Sequence, residues 1–205
     1  MYSCIKSFMD NDKENGLLLL DMPTGFGKTY SVIKYIAEFI KENSDTGKKI
    51  FFITTLKKNL PVEELKRRLA EMELLHLFEE RVIELKSNVD TVVANYNSSM
   101  YNDIPLEIRN SEEFKNFKAD VEFLKKHTGQ NSDLVRSVRN NFSNNNERIF
   151  RAYMQNTFAR NFPSIKERLL AIKTDSAWQW VGKLYPSVFT SEKQVIFMSM
   201  DKFIC

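Results

Sequence analysis

Cysteine and histidine are nearly missing from this sequence, with two of each in 205 residues. Cys4 and Cys205 stand at opposite ends, in neither a metal-ligand spacing nor a disulfide framework. That excludes a zinc site and leaves free thiols in a reducing compartment as the expectation. No apolar run is long enough to span a bilayer. The first residues, Met-Tyr-Ser-Cys-Ile-Lys, lack the basic stretch and long apolar segment of a secretory signal. A cytoplasmic protein without a membrane partner is expected. The net charge of +3 is too mild to diagnose a nucleic-acid partner by itself. Glycine numbers only six, and two of the six fall within three residues of one another, at Gly25 and Gly27. The remaining composition, 42% hydrophobic and 28% charged, is that of an ordinary globular chain able to bury one good core or one domain plus an insertion.

The pair of glycines lies in the stretch that organises the chain. Leu17, Leu18, Leu19 and Leu20 form a short apolar run that reads as a buried strand. Asp21-Met22-Pro23-Thr24-Gly25-Phe26-Gly27-Lys28-Thr29 follows, and a helical pattern runs over 28–41 with Val32, Ile33, Ile36, Ala37 and Ile40 on its apolar face. Strand, glycine-rich turn, Lys-Thr and helix is the context of a phosphate-binding loop. Gly25 and Gly27 free the backbone to aim N–H groups at an anion, and the new helix adds the positive end of its dipole. Thr24, Gly25, Phe26, Gly27, Lys28 and Thr29 are therefore the candidate nucleotide-binding residues. Lys28 is placed to reach the β- and γ-phosphates, and the Thr29 hydroxyl to ligate Mg²⁺, so ATP and Mg²⁺ are the expected cofactors. Lys28 and Thr29 are the catalytic candidates. Asp21 is read as capping the turn.

A second buried strand is predicted over 50–54 (Ile-Phe-Phe-Ile-Thr). A helix separates it from the first, so the two should be parallel. Thr54, Thr55, Lys57 and Lys58 then sit at the carboxyl end of that strand, where open parallel sheets place ligand contacts. Hydroxyls and lysines there suit a nucleic-acid backbone; a solvated turn capping the next helix is the alternative reading. Pro61 opens a helix to about residue 80, and 81–85 reads as a short third strand.

From Lys86 onward Asn and Ser become dense, glycine nearly vanishes, and apolar residues fall into helical spacing. Helices are predicted near 90–100, 112–127, 133–141, 147–161, 164–173 and 177–184, with polar breaks at 128–131 and 143–146. Between Arg136 and Lys173 there are eight basic residues against Glu147 and Glu167. Phe142, Phe150, Tyr153, Phe158 and Phe162 are interleaved with them. The aromatics read as core; Arg148 and Arg151 are candidates for gripping the phosphates of a single strand, with the solvated face of the same helices as the alternative reading of the arginines. Trp178 and Trp180 read as packing residues where the insertion meets the core. The strand pattern returns over 194–200, and Asp201-Lys202-Phe203 opens another helix.

Residues 22–29 and the turn after the second strand resemble motifs I and Ia of the first RecA-like domain of DEAD/DEAH-type superfamily 2 helicases, among whose relatives are CRISPR-associated and type III restriction helicase subunits. Pro-Thr-Gly-x-Gly-Lys-Thr is the usual core of motif I there, and Met22 occupies its relaxed first position. The resemblance implies an α/β fold: an incomplete RecA-like P-loop parallel sheet over 1–86, a large, mostly helical insertion over 87–185, and a return to the sheet over 186–205. It implies ATP-dependent work on a nucleic acid, DNA rather than RNA. No glutamine precedes Gln130, so the glutamine that reads adenine in such proteins has no counterpart here. The Asp-Glu box is also absent; Asp201 is the one acid after a core strand, and Lys202 follows it. The apolar run to Cys205 reads as a chain cut short, with a partner chain or a carboxyl-terminal RecA-like domain as the expected source of the missing arginines. Two functions stay open: the ATP-binding portion of a helicase or translocase, and a nucleotide-responsive regulatory or nucleic-acid-binding module that never hydrolyses ATP. A small-molecule kinase is disfavoured because no basic lid follows the third strand.

Overall fold

The computed structural model describes residues 1–11, 17–21, 23, 25–42 and 47–204. The chain divides into two compact units, Met1–Leu85 with Glu192–Cys205, and Lys86–Ser191.

The first unit is built on a parallel sheet of three strands, β1 (Ile50–Thr54), β2 (Val82–Leu85) and β3 (Val195–Ser199), in the order β1-β3-β2. Ile50 pairs with Val195 and Thr54 with Ser199 on one side, and Val82 with Val195 and Leu85 with Met198 on the other. Every residue of β3 is buried, as a strand covered on both faces must be. Side chains alternate. Val195 and Phe197 join Ile50 and Val82 under the helices, while Ile196 and Met198 meet Ile83 on the opposite face. The start of β3 is tied down by the main-chain bonds Ile50 N–H to Gln194 O (2.8 Å) and Gln194 N–H to Arg81 O (2.9 Å).

Helices α1 (Tyr2–Met9), α2 (Lys28–Glu42), α3 (Val62–Glu71) and α4 (Leu75–Arg81) belong to this unit, as does the last helix described below. Ile33, Ile36, Ala37 and Ile40 of α2 are wholly buried, as their spacing predicts, and meet Leu65 and Leu69 of α3. The Arg81 guanidinium donates to Ile40 O at 2.6 Å in the last turn of α2, fastening that helix end to the start of β2.

One element departs from expectation. Leu17–Leu20 form no strand. Leu18 and Leu20 are half-buried, Leu20 against the core of this unit, whereas Leu17 and Leu19 are 81% and 80% exposed. An apolar run is compatible with a strand buried on both faces, but a strand also needs a ladder partner. The segment has none among the described strands, and only its alternate side chains find cover.

The second unit is helical: α5 (Asn88–Asn95), α6 (Met100–Asp103), α7 (Leu106–Asn110), α8 (Glu112–Lys126), α9 (Asp133–Asn141), α10 (Glu147–Asn161), α11 (Ile165–Thr174) and α12 (Gln179–Leu184). Serines punctuate it. The hydroxyls of Ser87, Ser111, Ser132 and Ser164 each accept a backbone N–H three residues on, and Glu167 completes a capping box with Ser164. The break expected at 143–146 is instead a π-helical turn that carries α9 into α10. Phe142 at its start is fully buried, and the Asn146 side chain donates to Asp120 at 2.8 Å, so packing holds together a polar sequence that would otherwise end a helix. Phe117 packs on Phe150 (centroids 4.4 Å apart) and Phe142 (5.5 Å), with Trp180 beside Phe150 (6.4 Å). Trp178 and Trp180 belong to this unit's own core. The chain closes with helix α13 (Met200–Ile204). No helix among the described residues is long and apolar enough to cross a membrane.

Because β1 and β2 meet only through β3, Phe197→Ala, at a wholly buried site, should lower unfolding stability by about 3–5 kcal/mol. Chemical denaturation followed by circular dichroism measures it; a loss below about 1 kcal/mol would contradict this packing.

Candidate nucleotide site

The glycine turn has the conformation its sequence implies. Gly25 (φ +90°) and Gly27 (φ +69°) both lie in the left-handed region, where side chains with a Cβ are strained. Space is not the reason for glycine: a Cβ at Gly25 would meet nothing within 4 Å, and one at Gly27 only the Tyr30 Cβ at 4.0 Å. Lys28 opens α2, and Ser31 N–H donates to Gly27 O at 2.9 Å as the first bond of that helix. The first turn of α2 contains no acidic residue, so nothing there offsets the positive end of the helix dipole. The Lys28 ammonium folds back over the turn, donating to Pro23 O at 3.2 Å. Phe26, Lys28 and Thr29 lie along the same turn, with Phe26 and Thr29 exposed. Thr24 lies outside the described residues. A turn that presents backbone amides, a lysine and a hydroxyl at a helix start suits a polyphosphate.

A cation that sequence inspection did not single out stands beside the turn. The Arg68 guanidinium of α3 lies 4.4 Å from the centre of the Tyr30 ring. Its hydrogen bond and charge hold the Tyr30 phenol below its ordinary range. Thirty-eight positions separate the two residues, so no local pattern could have joined them.

Thr54 ends β1 and donates its hydroxyl to Leu56 O at 2.9 Å; Thr55 is exposed. Lys57 and Lys58 occupy a 3₁₀ turn over Lys57–Asn59. These four belong to the same unit as the glycine turn, at the carboxyl edge of the sheet. Ser199 ends β3 opposite Thr54 and is almost fully buried, its hydroxyl without a hydrogen-bond partner among the described residues. Asp201 is exposed in the first turn of α13.

Arg148 and Arg151 fall in the helical unit, on α10. Arg148 is exposed. Arg151 is engaged: its Nε lies 3.0 Å from Glu147, a carboxylate only 2% exposed. Arg136 pairs with Asp133 at 2.9 Å, Arg139 with Asp90, and Arg168 donates to Phe162 O and Pro163 O, each at 2.8 Å. The basic stretch is thus partly structural. Arg148, Arg160 and Lys166 remain exposed with no partner among the described residues. Phe142, Phe150 and Phe158 are buried, as expected of core aromatics.

The parallel sheet, the glycine turn and the helix it opens define a RecA-like P-loop α/β class, here with an incomplete sheet and much added helix. The chain belongs to the type III restriction enzyme, res subunit, family, whose description matches residues 2–202, helical unit included. That family is an amino-terminal helicase superfamily 2 domain of ATP-dependent type, with ATP use and nucleic-acid interaction as its general properties. A search of curated proteins gave no match.

Gly27→Ala should force an L-residue into φ +69° at an exposed turn. ATP affinity is expected to fall about 5–30-fold, the equivalent of about 1–2 kcal/mol of backbone strain, with little change in melting temperature. Calorimetric titration of parent and variant checks this.

Proposed function

We propose that this chain is the ATP-binding amino-terminal portion of an ATP-dependent nucleic-acid helicase or translocase. The observation that carries the reading is the start of α2: two glycines at positive φ, then Lys28 and Thr29 in a first turn free of carboxylates. In this reading the amides of residues 24–29 cradle the phosphates and the Lys28 ammonium leaves Pro23 O to meet the terminal ones. Thr29 contributes its hydroxyl to Mg²⁺. Arg68 adds positive potential from the side. Thr54, Thr55, Lys57 and Lys58 take the backbone of a DNA single strand at the sheet edge, and Arg148 contributes a phosphate contact from the helical unit. The charge distribution supports this role. The helical unit has 15 basic against 11 acidic residues, a balance of +4; the rest of the chain has 15 against 16, a balance of −1.

One observation favours the alternative, a nucleotide-responsive module without hydrolysis. The acid after the central strand, Asp201, is followed by Lys202 rather than a second acid, which leaves no pair to hold the metal and orient water. Binding of the ground state does not by itself lower a barrier. An arginine across the cleft is worth about 10³–10⁵ in rate, so phosphate release by these 205 residues alone should stay near background with or without single-stranded DNA. Turnover that vanishes in Lys28→Ala would instead give Asp201 or another acid a catalytic role.

Lys28→Ala should abolish Mg²⁺-ATP binding in a calorimetric titration; equal affinity in variant and parent would remove the central claim. Binding of a labelled single strand should weaken steeply with salt. Charge reversal at Arg148 and Arg160 should lower the log–log salt slope by about 1.4, at roughly 0.7 per phosphate contact on a single strand. Arg151 is unsuitable for that test, because reversing it would strand the buried Glu147 carboxylate. An unchanged slope with the protein folded would return these arginines to the role of a solvated surface.

A further inference from the structure

The first turn of α2 presents an aromatic ring that phosphate binding leaves unused. Tyr30 follows Thr29 directly and is 55% exposed. Ser31 N–H makes the first bond of the helix, so the Tyr30 amide is among the first-turn N–H groups that a helix leaves to an outside acceptor. A phosphate held there lies one side chain away from the Tyr30 ring. A Cβ placed on Gly27 would come 4.0 Å from the Tyr30 Cβ, so this side chain leaves the backbone beside the glycine turn.

The ring is held in place by α3. The Arg68 guanidinium lies over it, 4.4 Å from its centre, and its hydrogen bond and charge keep the phenol below its ordinary range. Arg68 is not drawn away by a carboxylate. Its neighbour Arg67 takes Glu64 at 2.7 Å and Glu71 at 3.1 Å, and Arg68 itself has no ion pair among the described residues. Its Nε is buried with no hydrogen-bond partner among them, which leaves the Tyr30 side chain as the contact that places this guanidinium. A cation covers one face of the ring, yet the residue stays more than half exposed, so the opposite face is open.

An open aromatic face on the flank of a phosphate site suits the base that those phosphates carry, because every base has a π-face to stack. We propose that Tyr30 stacks on the base of the nucleotide bound at the glycine turn, and that Arg68 positions the ring for it. The proposal rests on the nucleotide-binding reading above and adds the recognition of the base. Stacking reads the area of a ring and not the hydrogen-bond pattern along its edge. Purines, with two fused rings, are therefore favoured over pyrimidines, while adenine and guanine are treated alike. Phe26, 65% exposed, is the other ring at this turn, but it stands between the two glycines, in the stretch that wraps the phosphates.

The test titrates the whole chain by calorimetry with the Mg²⁺ complexes of ATP, GTP, CTP and inorganic tripolyphosphate, which has the phosphates and no base. ATP and GTP should bind within about threefold of each other, CTP more weakly and tripolyphosphate most weakly. Tyr30→Ala, at an exposed position, should weaken ATP and GTP roughly tenfold, the worth of one stacked base, and leave tripolyphosphate unchanged. Tyr30→Phe keeps the ring and should keep the parent affinities. The triphosphate of 2-aminopurine riboside, whose fluorescence is quenched by stacking, should dim on binding to the parent. It should dim less on binding to Arg68→Gln, and Arg68→Lys should recover part of the quenching by returning a cation to the ring. Phe26→Ala should show no loss that depends on the base. The proposal is overturned if Tyr30→Ala leaves ATP unchanged or weakens tripolyphosphate equally, or if the base-dependent loss appears at Phe26 instead. A parent preference for ATP over GTP above roughly 100-fold would also overturn it, since that requires hydrogen bonds to the base edge. Quenching indifferent to Arg68→Gln would remove the positioning role of Arg68. Each of these outcomes leaves tripolyphosphate binding by the parent intact; a parent that binds neither ATP nor tripolyphosphate would sink the nucleotide reading and this inference with it.

Discussion

The structure depends on the pairing of β3. This strand lies between β1 and β2, is buried along its whole length, and begins 110 positions after Leu85, the last residue of β2. Neither neighbour has another described partner, so the sheet exists only once the far end of the chain has returned to it. The entropy of closing so long a loop grows slowly with its length, which makes an insertion of this size tolerable. The helical unit also brings its own core, with Phe117 and Phe150 at its centre. Bonds clustered at the start of β3 make the return register-specific: Lys193 reaches Glu79 O and Glu80 O, and the main chain of Gln194 links β1 and the end of α4.

The helical unit shows how a basic sequence is divided between structure and surface. Glu147 is buried inside α10, and leaving it unpaired would be strongly destabilising, so Arg151 is committed to it. Arg168 is committed to two carbonyls at the start of α11, and Arg139 fastens α9 to Asp90 of α5. What remains for a polyanion is the smaller exposed set on α10 and α11.

In the first unit the chemistry is concentrated where backbone conformation, not packing, is decisive. Gly25 and Gly27 have open space around them and positive φ, so their requirement is torsional. The helix that follows is anchored by side chains with no exposure at all, which turns its amino-terminal end into a fixed point from which Lys28 and Thr29 project. Rigid support beneath a permissive turn is what a loop needs to meet an anion without reorganising.

Much of this was legible in the linear sequence. The helical spacing of Ile33, Ile36 and Ile40 and the Gly-x-Gly-Lys-Thr turn are local signals, each set by the geometry of one turn or one helix face. They determine that α2 forms, where it starts, and what its first residues can hold. Leu17–Leu20 marks the limit of such signals, since an apolar run states a wish for burial while a strand requires a neighbour's hydrogen bonds. The π-turn at Phe142–Asn146 marks it again, because Asn-rich sequence prefers to break a helix until a buried ring and the Asp120 carboxylate hold it. The placement of Arg68 over Tyr30, the pairing of Arg139 with Asp90, and the bond from Arg81 to Ile40 O join residues far apart in the chain. Only tertiary structure decided these, because burial and charge pairing depend on which elements meet, and no local spacing encodes that meeting.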